Sequence, residues 1–310
     1  MNTIFGPINS RRFGVSLGID LSPKIKQCNF DCLYCELAPM ATVASQNEVV
    51  AVKTIMKQLK EHLNNSIDVI TLTANGEPTL YPNLSELIDE IDKVKNTTQT
   101  LILTNSANLV NETTFQTLLK LDQVKLSLDA VSHDVFKKID RPHESIHIDD
   151  VITKVVEFSK IYKGKLFIEI LFVHGLNDTK EEVQKLNAVL RDINASRIDL
   201  GTIDRPPAYP VVGISYKELH EIAQMFDNSL PIHIASRVHA EANNTSYNEI
   251  EIINTLDKRP LTQDDINLLF DEQSKQRLQK LLNESKIMKK RVGNLEFYLP
   301  CENIKRKRSK

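Results

Sequence analysis

Three observations predict an α/β fold in which helices cover a parallel sheet. Apolar strand candidates begin near Asp68, Thr100, Val124, Lys165, Ile198 and Pro231, so successive starts lie 32, 24, 41, 33 and 33 residues apart. Each interval holds about one strand–helix unit. A further candidate over 13–20 precedes them, with Val15, Leu17 and Ile19 alternating against Ser16, Gly18 and Asp20. Helix-start signals fall between the strands: Asp178 with Glu181 and Ser215 with Glu218 have capping-box spacing, each ahead of apolar residues at helical intervals. Such alternation argues for a parallel sheet. Periodicity alone leaves open whether the sheet is doubly wound or a barrel.

After about Ala242 the rhythm changes. Short helices are expected over 248–257, 262–270 and 275–284, then two strand-like runs around Gly293-Asn294 that form a hairpin. Three helices and a hairpin resemble a winged helix, a fold that serves both nucleic-acid and protein binding. The expected division is a core domain over 1–242 and a small domain with a basic tail over 243–310. From Lys286 to Lys310 there are nine basic and two acidic residues, while the whole chain carries a net charge of −2. That asymmetry suggests a tail facing a polyanion, although a solvated basic terminus is equally common.

Chemistry concentrates in Cys28-Asn29-Phe30-Asp31-Cys32-Leu33-Tyr34-Cys35, which holds three of the four cysteines; Cys301 lies far away. Three thiolates in one loop can take three corners of a four-iron cluster and leave one iron open. A structural zinc site closes its shell with four protein ligands and would need Cys301 or a histidine. A disulfide would leave an odd thiol, and disulfides are rare in reducing compartments. No apolar run approaches the roughly 20 residues that cross a bilayer, and the N-terminus has no signal-peptide core. A cytoplasmic protein without membrane attachment is expected.

C-x3-C-x2-C with an aromatic residue before the last cysteine resembles the radical S-adenosylmethionine (SAM) superfamily. The resemblance implies a partial (β/α)6 barrel with the cluster loop after the first strand. It also implies a [4Fe-4S] cluster on Cys28, Cys32 and Cys35, with Tyr34 on the cofactor side. SAM would chelate the open iron and be cleaved to a 5′-deoxyadenosyl radical. In such barrels reactive groups gather where strands end. The second strand ends in Asn75-Gly76-Glu77-Pro78, similar to the family's glycine-glycine-glutamate-proline motif for the SAM amino group, with Asn75 in place of the first glycine. The glycine would let backbone approach a ligand and the carboxylate would accept from an ammonium. Asn105, Ser127 and Asp129 fall where the family contacts SAM, and Ser127 and Asp129 are expected on one strand face. The loop from Val173 through His174 to Asp178 resembles the segment along the adenine, with His174 read as a hydrogen-bonded loop residue.

Arg205, before Pro206 and Pro207, is expected at the mouth with Arg141, either to clamp a substrate anion or to bridge the rim. Arg11-Arg12 is expected as an exposed pair that could face the mouth. These motifs together resemble a branch of iron–sulfur oxidoreductases related to the wyosine-forming tRNA enzymes, over about residues 4–235. The chain lacks the second cysteine set that the wyosine enzymes use for an auxiliary cluster. The expected partners are a reductant such as a flavodoxin or ferredoxin, and an RNA or protein substrate held by the C-terminal domain. An iron–sulfur-sensing nucleic-acid-binding regulator is the alternative; it would not need Glu77, Ser127 and Asp129.

Overall fold

The computed structural model describes residues 2–10, 12–234, 246–258, 260–292 and 295–301. The expected domain boundary and the tail beyond Cys301 therefore lie outside the described residues, as do Arg11 and the Gly293-Asn294 turn. The chain opens with an antiparallel hairpin, β1 (Ile4–Ser10) and β2 (Gly14–Asp20). It then alternates: α1 (Val52–His62), β3 (Val69–Thr73), α2 (Leu84–Asp92), β4 (Gln99–Thr104), α3 (Glu112–Leu118), β5 (Gln123–Ser127), α4 (His133–Ile139), α5 (Ile148–Ile161), β6 (Lys165–Phe172), α6 (Lys180–Leu190), β7 (Arg197–Thr202), α7 (Tyr216–Ala223) and β8 (Ile232–Ile234).

β2 to β8 run parallel in sequence order, with β1 added at the β2 edge. The strands are near-continuous apolar runs because helices cover their outer face. Leu17, Ile70, Ile102, Val124, Ile168 and Ile198 are all fully buried. β1 is a strand that the sequence reading missed, since Gly6 and Pro7 interrupt its alternation and the register with β2 shifts between Phe5 and Ile8.

The sheet does not close, yet it curls. Five strand spacings of about 4.8 Å separate β2 from β7, about 24 Å in a flat sheet. Arg12, at the tip of the β1–β2 hairpin, nevertheless reaches Glu169 of β6 at 2.8 Å and Asp199 of β7 at 3.1 Å. The structure is thus a partial barrel, and Arg12 is not the exposed cation that the sequence suggested. It crosses the concave face directly below the mouth, at the level where Glu169 pairs in register with Ser127 at the end of β5, and so forms the floor of the site. Lys125 of β5 donates to Glu169 there, and Arg197 and His233 pair with Asp199.

Among the barrel helices, one expected cap held and another moved by one residue. Ser215 and Glu218 form the expected capping box of α7. In α6 the cap is Thr179, one residue later than predicted, accepting from the Glu182 N–H. The Glu182 carboxylate turns away and accepts from the Val131 and Ser132 N–H groups at 2.7 and 2.9 Å, tying α6 to the loop after β5. Asp178 instead sits 3.3 Å from His174.

The C-terminal segment adds α8 (Glu249–Lys258), β9 (Leu261–Thr262), α9 (Gln263–Leu269), α10 (Glu272–Asn283), β10 (Ile287–Val292) and β11 (Leu295–Pro300). Its three strands are ordered β10-β11-β9. The two-residue β9 was too short to anticipate. α10 starts three residues early because Asp271 caps it, accepting from Ser274 at 2.7 Å. A second apolar core joins Ile252, Leu256, Phe270, Leu281 and Tyr298 to Ile8 of β1. The Tyr247 hydroxyl also donates to the Pro7 carbonyl. Among the described residues no helix is long and apolar enough to cross a membrane.

Candidate active site at the mouth of the barrel

The cysteine loop leaves the end of β2 and is fixed by backbone before any side chain is considered. Buried Asp20 accepts from Ser22 at 3.0 Å and from Asn75 at 2.8 Å, joining the loops after β2 and β3. Gln27 then pairs with Gly76 as a short parallel bridge: Gln27 N–H donates to the Asn75 carbonyl, and Glu77 N–H to the Gln27 carbonyl, both at 2.9 Å. Gly76 has φ +130°, and a Cβ there would lie 1.9 Å from the Gln27 carbonyl oxygen. The glycine is therefore required by the crossing of two protein backbones, a different reason from the ligand approach expected from sequence.

Cys28, Cys32 and Cys35 are free and half-buried. Cys28 Sγ accepts from Phe30 N–H at 3.4 Å and lies 3.9 Å from Asn105 Nδ2; Cys35 Sγ lies 3.8 Å from Lys26 Nζ. Burial pushes the Cys28 thiol up to about 12 and Cys32 well above its ordinary value, and neighbouring thiols add to both. Burial also raises Cys35, opposed by Lys26. Three such thiols become thiolates only against a cationic inorganic partner, which deprotonates its sulfur ligands outright. Among the described residues no group of three or more His, Cys, Asp or Glu side chains is arranged to hold a metal ion. Three thiols in one loop, with N–H groups directed at sulfur, suit an iron–sulfur unit with an open iron.

Glu77 is buried beside this loop. Its Oε1 accepts from Thr79 N–H (2.9 Å), Thr79 hydroxyl (2.6 Å) and Thr104 hydroxyl (2.6 Å), and its Oε2 from Asn105 N–H (2.8 Å). Burial nonetheless raises its pKa, because every one of those donors is neutral. Asn105 donates through Nδ2 to Asn29 inside the cysteine loop at 2.7 Å. Glu77, Asn105 and Cys28 thus form one connected group, as the motifs implied.

Ser127 is the last residue of β5, so Asp129 lies beyond the strand and the expected shared strand face does not exist. Asp129 is buried; it accepts from the Tyr34 hydroxyl and from Leu171 N–H. Burial pushes it up to about 7 against those bonds. Tyr34, Asn105, Ser127 and Asp129 share one narrow pocket, walled by Phe30 and Phe136.

Arg205 and Arg141 both reach the cysteine loop. Arg205 donates to Glu36 at 2.6 Å, and Arg141 lies 3.3 Å from Asp31 with its guanidinium over the Tyr209 ring. Tyr209 donates to the same Asp31 oxygen at 2.5 Å, and Ala208 N–H to the Cys35 carbonyl at 2.8 Å. The loop after β7 is thereby strapped over the cysteine loop. Sequence reasoning missed Lys26, Asp31, Glu36 and Tyr209. Asp31 and Glu36 lay in or beside the motif, but their partners Arg141, Arg205 and Tyr209 are 110 to 178 positions away, where spacing carries no signal.

The model of the radical SAM superfamily matches residues 23–186. A UPF0026 protein of Helicobacter pylori is 40% identical over 299 residues, spanning 95% of this chain and 96% of its own. Streptococcus suis SuiB bound to precursor peptide SuiA matches with a TM-score of 0.56 at 19% identity, over 72% of this chain and 49% of that one. TYW1 with a lysine-pyruvate adduct bound matches at 0.52 and 18% identity, over 69% and 74%. At those identities the two structures show a common fold. Sequence and fold converge on one conclusion: the chain belongs to the radical SAM superfamily.

Proposed function

We propose that this radical SAM enzyme holds a [4Fe-4S] cluster on Cys28, Cys32 and Cys35, binds SAM beside it, and abstracts hydrogen from an RNA base. One observation carries the reading: three free thiols stand on a loop locked by backbone pairing to the segment of Glu77. When bound, the cluster supplies the electron that splits SAM into methionine and a 5′-deoxyadenosyl radical. Glu77 offers its carboxylate to the SAM ammonium. Tyr34, Gly76, Asn105, Ser127 and Asp129 line the remainder of the SAM side, and the strapped loop after β7 shields the site from water. Arg141 and Arg205, each already paired on the loop, position that strap at the substrate mouth.

The RNA part of the proposal rests on the C-terminal segment. Its order, α8-β9-α9-α10-β10-β11 with β9 paired to β11, supports a winged-helix reading. It packs on β1, at one edge of the unclosed sheet, where a bulky substrate could approach laterally. Membership of the branch related to the wyosine-forming enzymes is part of this proposal, supported by the RNA reading of this segment. A second reading, a peptide or protein substrate, is favoured by charge: Lys275, Lys280, Lys286 and Lys289 are each paired with a glutamate.

Anaerobic reconstitution should give about four irons per chain, and a strong reductant should then yield 5′-deoxyadenosine and methionine from SAM. No SAM cleavage would refute the reaction class. Deuterium transfer into 5′-deoxyadenosine from labelled cell fractions identifies the substrate. Gel-shift titration with total tRNA at two salt concentrations tests RNA: binding that weakens steeply with salt supports it. No binding at low salt makes peptide the substrate class.

A further inference from the structure

We propose that Lys26 and Asp31 set the reduction potential of the cluster as opposing charges on the Cys35 side, an inference that rests on the reading of the three cysteines given above. Lys26 stands two residues before Cys28 and is buried, with 8% of its surface exposed. A buried ammonium normally takes a hydrogen-bonded carboxylate. Here the nearest carboxylate oxygen, Asp31 Oδ1, lies 3.8 Å from Nζ, beyond hydrogen-bond length, and Cys35 Sγ lies at the same 3.8 Å. Asp31 Oδ1 is itself buried without a hydrogen bond. The other Asp31 oxygen is occupied by the Tyr209 hydroxyl and by Arg141. The Lys26 cation is therefore shared between a ligand sulfur and a carboxylate held from behind.

The sign of each effect follows from charge. Reduction adds an electron to the cluster and its thiolates. A cation beside one sulfur stabilises the reduced form and raises the potential, and an anion beside that cation offsets it. Asn105, a neutral donor 3.9 Å from Cys28 Sγ, contributes in the same direction as Lys26 with less weight. The electron comes from the external reductant, and no covalent bond of the protein changes. Lys26 touches neither the Glu77 carboxylate nor the Asp129 pair among the contacts described, so its role is separable from SAM binding.

The test uses the full chain, reconstituted anaerobically, as wild type, Lys26→Met, Lys26→Arg and Asp31→Asn. Iron content and visible absorbance of the wild type report on the cluster itself. Midpoint potentials come from redox titration followed by electron paramagnetic resonance of the reduced state. At a fixed solution potential, Lys26→Met should lower the reduced-to-oxidised ratio about tenfold, about 59 mV for a one-electron couple. Lys26→Arg should restore it, and Asp31→Asn should move it the opposite way. A merely structural role would not produce opposite signs. Equal potentials throughout, or a shift of Asp31→Asn in the same direction as Lys26→Met, overturns the proposal. If Lys26→Met takes up no iron, Asp31→Asn decides: a positive shift supports the proposal, and none or a negative one overturns it. A wild type without iron overturns the cysteine reading first, and the iron count shows that directly.

Discussion

The floor and the mouth of the barrel both bury carboxylates, and they treat them in opposite ways. At the floor, burial would push Glu169 up, yet Lys125 and Arg12 hold it down at about 2. At the mouth, burial prevails: Glu77 is raised, and Asp129 reaches about 7. Hydrogen-bond number does not explain the contrast, since Glu77 accepts four. The difference is the charge of the donors. Floor acids are neutralised by this chain's own cations, so their network is complete and braces the curl of the sheet. Glu77 and Asp129 at the mouth, unlike Asp31 and Glu36 on the cysteine loop, accept only from neutral donors, which suits them to receive a cation that the chain does not supply, such as the SAM ammonium.

The largest expected effect tests the mouth. Serine at Cys28, Cys32 or Cys35 should abolish iron binding, while Cys301→Ser should leave the iron count unchanged; loss of iron in Cys301→Ser would break the three-thiolate reading. The floor comes next. Glu169→Gln leaves buried Lys125 without its carboxylate and Arg12 with Asp199 alone, and should destabilise the fold by about 3–5 kcal/mol, read by chemical denaturation at pH 7. Because its folded pKa lies below the unfolded value of about 4.3, Glu169 stabilises fully above that pH. The contribution is lost as pH falls toward about 2, so Glu169→Gln should flatten the acid limb of stability against pH. An unchanged acid limb would show that the floor is not a charge brace.

Glu77→Ala should weaken SAM binding by about 1–3 kcal/mol, measured by calorimetry on reconstituted protein. Wild-type affinity would make Glu77 a loop brace, like its floor counterpart. The smallest effect is expected at Arg141, whose side chain is 42% exposed. Arg141→Gln should cost about 0–1 kcal/mol of stability by thermal unfolding, and a larger loss would show the rim pair to be as tightly coupled as the floor.

Legibility from sequence followed the distance between interacting residues. The strand–helix alternation and the cysteine loop are written in contiguous residues, and so are their periods and spacings. Glu77 was legible because a short motif surrounds it. Arg12 was not, because its carboxylates lie 157 and 187 positions away. Counting charge over 286–310 gave nine basic residues against two acidic ones; the structure pairs Lys286 with Glu249 and Glu284 and Lys289 with Glu296, contacts that no count along the chain displays. At Gly76 the structure adds a requirement that the motif does not display, since the neighbour it must admit is another stretch of backbone.

The docking of β1 has a consequence for synthesis. Ile8 enters the core of the C-terminal segment, and Tyr247, 240 positions downstream of Pro7, bonds to it. At about 5–20 residues per second, translation takes about 12–48 s to bring the second residue out after the first. Throughout that interval the nascent barrel presents an uncovered edge strand, the feature most prone to pairing with another chain. Expression yield should therefore depend on what shelters the first hairpin while the remainder is still being made.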